Sequence, residues 1–281
     1  MVQEPIVSVD WLKEHLDAPD VVIIDASWYL PAMERNGKEE YAQEHIPGAL
    51  FMDIDEVSDQ NSTLPHMMPE PHIFSSKMRR MGIGDGQTII VYDAMGIFSA
   101  ARVWWMFRAF GVKSVFVLDG GLPAWKAKGY PLTDDQPPRM ERHFTAILNH
   151  DMVRNLSEVQ EALNSSQQLV LDARSPERFM GQAPEPREGV RAGHMPGALN
   201  LPFGLLLEEG KLRSNEDLKD IFHQTGVDAN TPVITSCGSG VTAAVISLAL
   251  EKVGYTKTAL YDGSWSEWGA SPQTEVISEE A

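Results

Sequence analysis

The chain repeats itself at long range, and this constrains its fold more than any single motif. "HIPGAL" (45–50) returns as "HMPGAL" (194–199), "VVIIDAS" (21–27) as "LVLDARS" (169–175), and "VLDGGLPAW" (117–125) as "LYDGSWSEW" (260–268). The offsets are close: His45 to His194 is 149, Asp25 to Asp172 is 147, Trp125 to Trp268 is 143. Ordered matches at such similar spacing indicate a duplicated domain, and the period is too long for a solenoid. With 281 residues the chain has room for two domains. The boundaries read as 1–133, a linker at 134–150 and 151–281.

Each copy carries the same succession. A helix is expected after Ser8 and Ser157, each read as an N-cap. A β-branched strand ending in Asp follows (21–25, 169–172), then the His-x-Pro-Gly-Ala turn. A third strand (88–93, 232–237) runs into a helix, and a fourth (114–118, 258–261) ends in an Asp-Gly turn. Short, continuously apolar strands alternating with helices predict an α/β fold, with a parallel sheet covered by helices in each domain. "RVWWMFRAF" (102–110) reads as a core helix. The prolines and charges of "GYPLTDDQPPRMERHFTAILNH" (129–150) mark the connection between copies.

The formal charge is 23 − 40 = −17. A nucleic-acid footprint or an anionic-membrane dock needs a basic face, so neither is expected. No apolar run approaches the roughly 20 residues of a membrane span. The start, "MVQEPIVSVDWLKEHL", lacks the basic stretch and apolar core of a secretory signal, and it is acidic where a transit peptide is Arg-rich. One cysteine cannot form an internal disulfide, which suits a reducing compartment such as the cytoplasm.

That cysteine, Cys237, opens the run "CGSGVTA" (237–243). Ligands of open α/β sheets bind at the carboxyl ends of strands. A glycine-rich turn there aims successive N–H groups at one spot, and the following helix adds partial positive charge. Such a turn favours a sulfur anion, the nucleophilic form of cysteine. A lone Cys is commonly a small inert core residue. The adjacent glycines argue otherwise, and so does the other copy, where "VYDAMGIFSAAR" puts Asp93 at about the Cys237 position. One copy reads as active and the other as inactive.

"CGSGVTA", the paired His-x-Pro-Gly-Ala turns and the duplication resemble the two-domain rhodanese superfamily, from about Ser8 to Trp268. Gly238 and Ser239 stand where thiosulfate-preferring members carry basic residues, and "APEPR" (183–187) is similar to a motif of the mercaptopyruvate-using branch. The resemblance implies two tandem rhodanese-like domains with the active site in the cleft between them, which Trp28 and Phe98 would line. It implies transfer of the sulfane sulfur of 3-mercaptopyruvate through a Cys237 persulfide, with pyruvate released. The acceptor would be thioredoxin, a small thiol or cyanide. No cofactor is implied. Gly238, Gly240, Val241 and Thr242 would contribute the backbone nest. Arg178 and Arg187 would hold the substrate carboxylate, with Arg174 and Arg191 as weaker candidates. Ser239 would work with the histidine of the first turn, His45, and an upstream acid. Asn36 occupies that acid's expected place, which leaves Glu39, Glu40 and Glu44 as alternatives.

Three other readings compete. A thiosulfate sulfurtransferase would share the fold and the persulfide. A cysteine phosphatase needs an Arg at the end of the loop, where Ala243 stands. A sulfur-carrier or interaction module would not need a substrate clamp. The eight histidines are scattered and there is no Cys-x-x-Cys pair, so no metal site is expected. "GIGDGQT" (82–88) precedes its strand, unlike a nucleotide fingerprint.

Overall fold

A computed structural model of the protein describes residues 4–138, 140–165 and 167–278. The chain divides into two compact units. The first comprises 1–60, 68–149 and 209–212, and the second 61–67, 150–208 and 213–281.

In the first unit five strands, β1 (Ile6–Val7), β2 (Val21–Asp25), β3 (Leu50–Phe51), β4 (Thr88–Tyr92) and β5 (Val115–Leu118), form a parallel sheet in the order β1-β5-β4-β2-β3. Its helices include α1 (Val9–Glu14), α2 (Gly37–Gln43), α3 (Pro71–Met81), α4 (Ser99–Ala109) and α5 (Gly121–Ala127), with a single turn at Ile54–Val57 between α2 and α3. Ile23, Ile90 and Tyr92 pack on one face with Val9 and Leu12 of α1, Tyr41 of α2, and Leu122 and Trp125 of α5. Their neighbours Ile24, Ile89 and Val91 are equally buried and point the other way. Because both faces are covered, the strands are continuously apolar, as expected. The connecting segment packs on this unit: Phe144 joins Phe74 and Phe107 in an aromatic cluster, and Asn149 N–H donates to Ala109 O.

The second unit repeats the plan. Strands β6 (Val153–Arg154), β7 (Leu169–Asp172), β8 (Leu199–Asn200), β9 (Val233–Ser236) and β10 (Thr258–Tyr261) are parallel, in the order β6-β10-β9-β7-β8. The helices are α6 (Leu156–Ser165), α7 (Pro176–Phe179), α8 (Asn215–Gln224), α9 (Ala243–Lys252) and α10 (Ser264–Trp268). Helix α9 is buried from Ala243 through Leu250, which is why its sequence is apolar nearly all round.

Ser8 caps α1 as expected, its Oγ accepting the Trp11 N–H at 3.0 Å. Ser157 does not cap α6. Asn155 does, accepting the Glu158 N–H at 3.0 Å, while the Glu158 carboxylate accepts the Asn155 N–H at 2.8 Å. This reciprocal capping box starts the helix earlier and leaves Ser157 inside it. The short edge strands β1 and β6 escape sequence reading because two residues show no periodicity. No helix among the described residues is long and apolar enough to cross a membrane.

Candidate active site

Three loops leave neighbouring strands at the carboxyl end of the second sheet. Strand β9 pairs with β7 on one side and β10 on the other. The loop after β9 begins with Cys237. The chain after β7 leads into α7 and Arg178, and the turn after β10 leads into α10.

Cys237 is buried, about 1% exposed. Its carbonyl accepts the Trp265 N–H at 2.9 Å, and that of Gly238 accepts the Ser266 N–H at 2.8 Å. The Ser266 hydroxyl donates to the same Gly238 oxygen at 2.6 Å. N–H and C=O of a trans peptide point opposite ways, so the N–H groups of Gly238 and Ser239 face away from α10. Gly240 sits at φ 78°, a left-handed conformation that glycine adopts without cost. Val241 is buried, and Thr242 is the N-cap residue of α9. The helix proper begins at Ala243, six residues after the cysteine.

The first unit shows what a loop of this design holds. Asp93 stands six residues before the start of α4, as Cys237 does before α9. The Asp93 carbonyl accepts the Leu122 N–H at 2.9 Å, the counterpart of the Trp265 bond. Its carboxylate accepts N–H groups from Met95 (2.8 Å), Phe98 (2.7 Å) and Ala100 (2.9 Å). Burial nevertheless pushes the Asp93 carboxyl above the usual range, with the N–H bonds opposing it. A buried carboxyl group ringed by backbone donors therefore exists in this molecule, in the copy without a thiol.

Ser264 supports the cysteine from below. Its hydroxyl accepts the Cys237 N–H at 3.2 Å and donates to Tyr261 O at 2.8 Å. It does so at φ 49°, a strained value for a residue with a side chain. Its counterpart in the first unit is Gly121, at φ 52°.

Arg178, half-buried on α7, lies over Gly238: a Cβ built on that glycine would stand 3.1 Å from Arg178 Nη2. Arg187 is half-buried in the irregular segment beyond α7. The weaker candidates have structural duties. Arg174 is fully buried, paired with Asp172 (2.7 Å) and Glu185 (2.8 Å) and stacked on Trp265. Burial disfavours its charge, but the two carboxylates outweigh that and raise its pKa. Arg191 ties down the C-terminal segment through Trp268 O, Gly269 O, Ser271 O and Thr274 O.

The histidine that meets Ser239 is His66. Its Nδ1 lies 3.0 Å from Ser239 Oγ and 3.3 Å from Ser239 O. His66 is buried, at a left-handed φ of 59°, and residues 61–67 belong to the second unit. His45, expected in this role, is occupied elsewhere: Nδ1 faces Tyr41 O at 2.7 Å, Nε2 faces Asp135 O at 3.2 Å, and the ring stacks on Tyr41. Its twin His194 likewise bonds Phe179 O and stacks on Phe179. Of the expected acids, Glu40 pairs with Arg35 and Glu44 with Lys126, while Asn36 caps α2. Trp28 stacks on Phe98 and donates Nε1–H to Asp55 at 2.9 Å. Among the described residues no group of three His, Cys, Asp or Glu could hold a metal ion.

Comparison with known proteins agrees with this geometry. The rhodanese-like domain model matches residues 8–128 and again 155–271. The chain is 45% identical over 265 residues to the 3-mercaptopyruvate sulfurtransferase of Escherichia coli strain K12, covering 94% of each. It is 41% identical to the mitochondrial thiosulfate/3-mercaptopyruvate sulfurtransferase 1 of Arabidopsis thaliana, covering 99% of this chain and 79% of that one. Among solved structures, SseA of E. coli, described as a 3-mercaptopyruvate sulfotransferase with the rhodanese fold, superposes with a TM-score of 0.86 at 42% identity, over 94% of this chain and 99% of that one. Tum1 of Saccharomyces cerevisiae gives 0.89 at 30% identity, over 98% and 97%. Two matching domains and full-length relatives agree with the two sheets and the cysteine loop: the chain belongs to the rhodanese family.

Proposed function

We propose that the protein is a 3-mercaptopyruvate sulfurtransferase working through a Cys237 persulfide. The observation that carries this reading is the Cys237 loop itself, the same design as the loop whose N–H groups surround the Asp93 carboxyl but with a thiol in the carboxyl's place. The Cys237 thiolate attacks the donor sulfur. The C–S bond breaks, its electron pair passes to the ketone side as pyruvate enolate, and the enolate takes a proton at carbon. Ser239 and His66 form the proton path, one hydroxyl and one imidazole in contact. The N–H groups of 238–242 stabilise the sulfur anion, and Arg178 and Arg187 bind the carboxylate through planar forks. An outside thiol, such as thioredoxin or a small thiol, or cyanide then removes the outer sulfur and regenerates Cys237. Two half-reactions predict ping-pong kinetics.

A thiosulfate sulfurtransferase is the second reading, favoured by the double name of the Arabidopsis relative. Gly238 and Ser239 speak against it, since the loop brings no cation of its own to a dianionic donor. A single cysteine and a thiolate reaction suit a reducing compartment, and we read it as the cytoplasm.

The test compares initial rates with 3-mercaptopyruvate and thiosulfate at matched concentrations, cyanide as acceptor. A strong preference for mercaptopyruvate is expected, and a preference for thiosulfate would overturn the donor assignment. With donor alone the protein should gain about 32 Da on Cys237, as covalent transfer requires. Cys237→Ser should abolish both the adduct and turnover.

A further inference from the structure

Arg178 is not a loose surface cation. Glu185 accepts from its Nε (3.2 Å) and Nη2 (2.5 Å), two parallel bonds along one edge of the guanidinium. Glu185 also accepts from Arg174 Nη1 at 2.8 Å. Arg174 in turn grips Asp172 through Nε and Nη2 and donates to Gly193 O. The Arg174, Asp172 and Glu185 side chains are at most 4% exposed, whereas Arg178 is 22% exposed. Four charges thus alternate, Asp172⁻, Arg174⁺, Glu185⁻, Arg178⁺, from the end of strand β7 out to Gly238.

We propose that Glu185 is a positioning residue for the donor carboxylate: it fixes the Arg178 fork over the catalytic loop before substrate arrives. This rests on the reading of Arg178 as part of the clamp. A free arginine loses much rotamer freedom when it binds a ligand, and pre-ordering removes that cost from the binding step. Glu185 can do this without competing for the site. Its own carboxylate is held by Arg174, so it engages the Nε–Nη2 edge and leaves the Nη1 donors for an incoming anion. The alternation ends on the partly exposed Arg178 guanidinium, a cation suited to a planar anion. The donor carboxylate has the required charge and planar shape. Glu185 and Arg187 share the stretch "APEPR", so one short segment carries both the second clamp arginine and the anchor of the first.

The experiment measures steady-state turnover of 3-mercaptopyruvate with cyanide for Glu185→Ala, Glu185→Gln, Arg178→Ala and the double variant Arg178→Ala/Glu185→Ala. Cyanide discharge of the preformed persulfide is followed separately. Glu185→Ala should raise KM about tenfold, a decade in binding, with kcat and the discharge rate within about twofold. In the Arg178→Ala background the same change should have no further effect on KM, because a positioning residue acts only through its target. If removing Glu185 leaves Arg174 too exposed to fold, the isosteric Glu185→Gln carries the test, with a smaller KM rise in the same direction. An unchanged KM in a folded Glu185 variant, beside a raised KM in Arg178→Ala, would sink the positioning role and spare the clamp. A KM rise that persists without Arg178 would mean general loosening and also defeat it. An unchanged KM in Arg178→Ala would remove the clamp reading, and the proposal with it.

Discussion

At the scale of single residues the informative contrast is between two histidines. His45 sits in a repeated turn, which makes it conspicuous in sequence, and its ring is absorbed by backbone carbonyls. His66 has no repeat partner and lies 173 residues from the serine it touches, so no local pattern announces it. His66→Asn, which tolerates the left-handed backbone, should keep the fold and lower the rate of pyruvate release by about 10²- to 10⁴-fold, the usual share of a positioned acid–base group. His45→Asn should instead lower the melting temperature, with a much smaller rate loss per folded molecule. Stopped-flow pyruvate release and calorimetry together separate the two. A second prediction concerns Asp25, buried at the end of β2, where burial, reinforced by Asp93 and opposed by bonds from Ser27 and Tyr92, pushes its carboxyl up to about 6 from 3.8. Between those values the folded state holds a proton that the unfolded chain has released. Stability from this group therefore falls as pH rises from about 4 to about 6, and stays lower above. The displacement amounts to about 3 kcal/mol at 1.36 kcal/mol per pH unit. Asp25→Asn keeps an Oδ1 for the Ser27 N–H, bonded at 2.9 Å, and loses the charge. Relative to the parent it should be more stabilised at pH 8 than at pH 4.5 in urea unfolding. An equal difference at both pH values would count against the buried charge.

Elements were legible where a run of side chains shares one environment. The central strands β2 and β7 could be bounded to the residue, and the core helices α4 and α9 were foreseeable, because each is apolar over more than one turn. What stayed hidden depends on partners distant in sequence. The grip of α10 on the Cys237 loop is such a case, since nothing in "DGSWSEW" says that Ser264 will hold a cysteine amide from a left-handed backbone. Ser264→Ala should cost about 1–3 kcal/mol, because it leaves a buried N–H without its acceptor. Ser264→Gly loses the same hydroxyl but relieves a left-handed strain of about 1–2 kcal/mol, so it should be the milder variant. Chemical denaturation of the two side by side decides it. Glycine milder than alanine supports the strained-support reading, and the reverse order refutes it.

The whole molecule adds a feature that neither repeat shows alone. By sequence it is two copies in tandem, yet the compact units do not respect that boundary: residues 61–67 of the first repeat belong to the second unit, and 209–212 of the second repeat belong to the first. Each exchanged segment meets the loop that follows the middle strand of its host sheet, β9 in the second unit and β4 in the first. His66 reaches Ser239 in one unit. In the other, Gly210 packs so closely on Gly96 that an added Cβ there would stand 2.6 Å from Gly210 O. The duplication was visible in the sequence because it repeats short words. The exchange was not, because a seven-residue segment that crosses over carries no periodicity of its own. It has a consequence for a chain cut in two. If the backbone is opened within 134–149 and the halves are produced together, each unit still needs residues from both, so the halves should co-purify. The pair should also turn over 3-mercaptopyruvate, although Cys237 and His66 now lie on different polypeptides. His66→Asn in the first fragment should then silence the pair while leaving it assembled, as readily as Cys237→Ser in the second. Halves that separate on a sizing column, or a C-terminal half fully active alone, would show that the exchanged segments are dispensable and that His66 is not part of the working site.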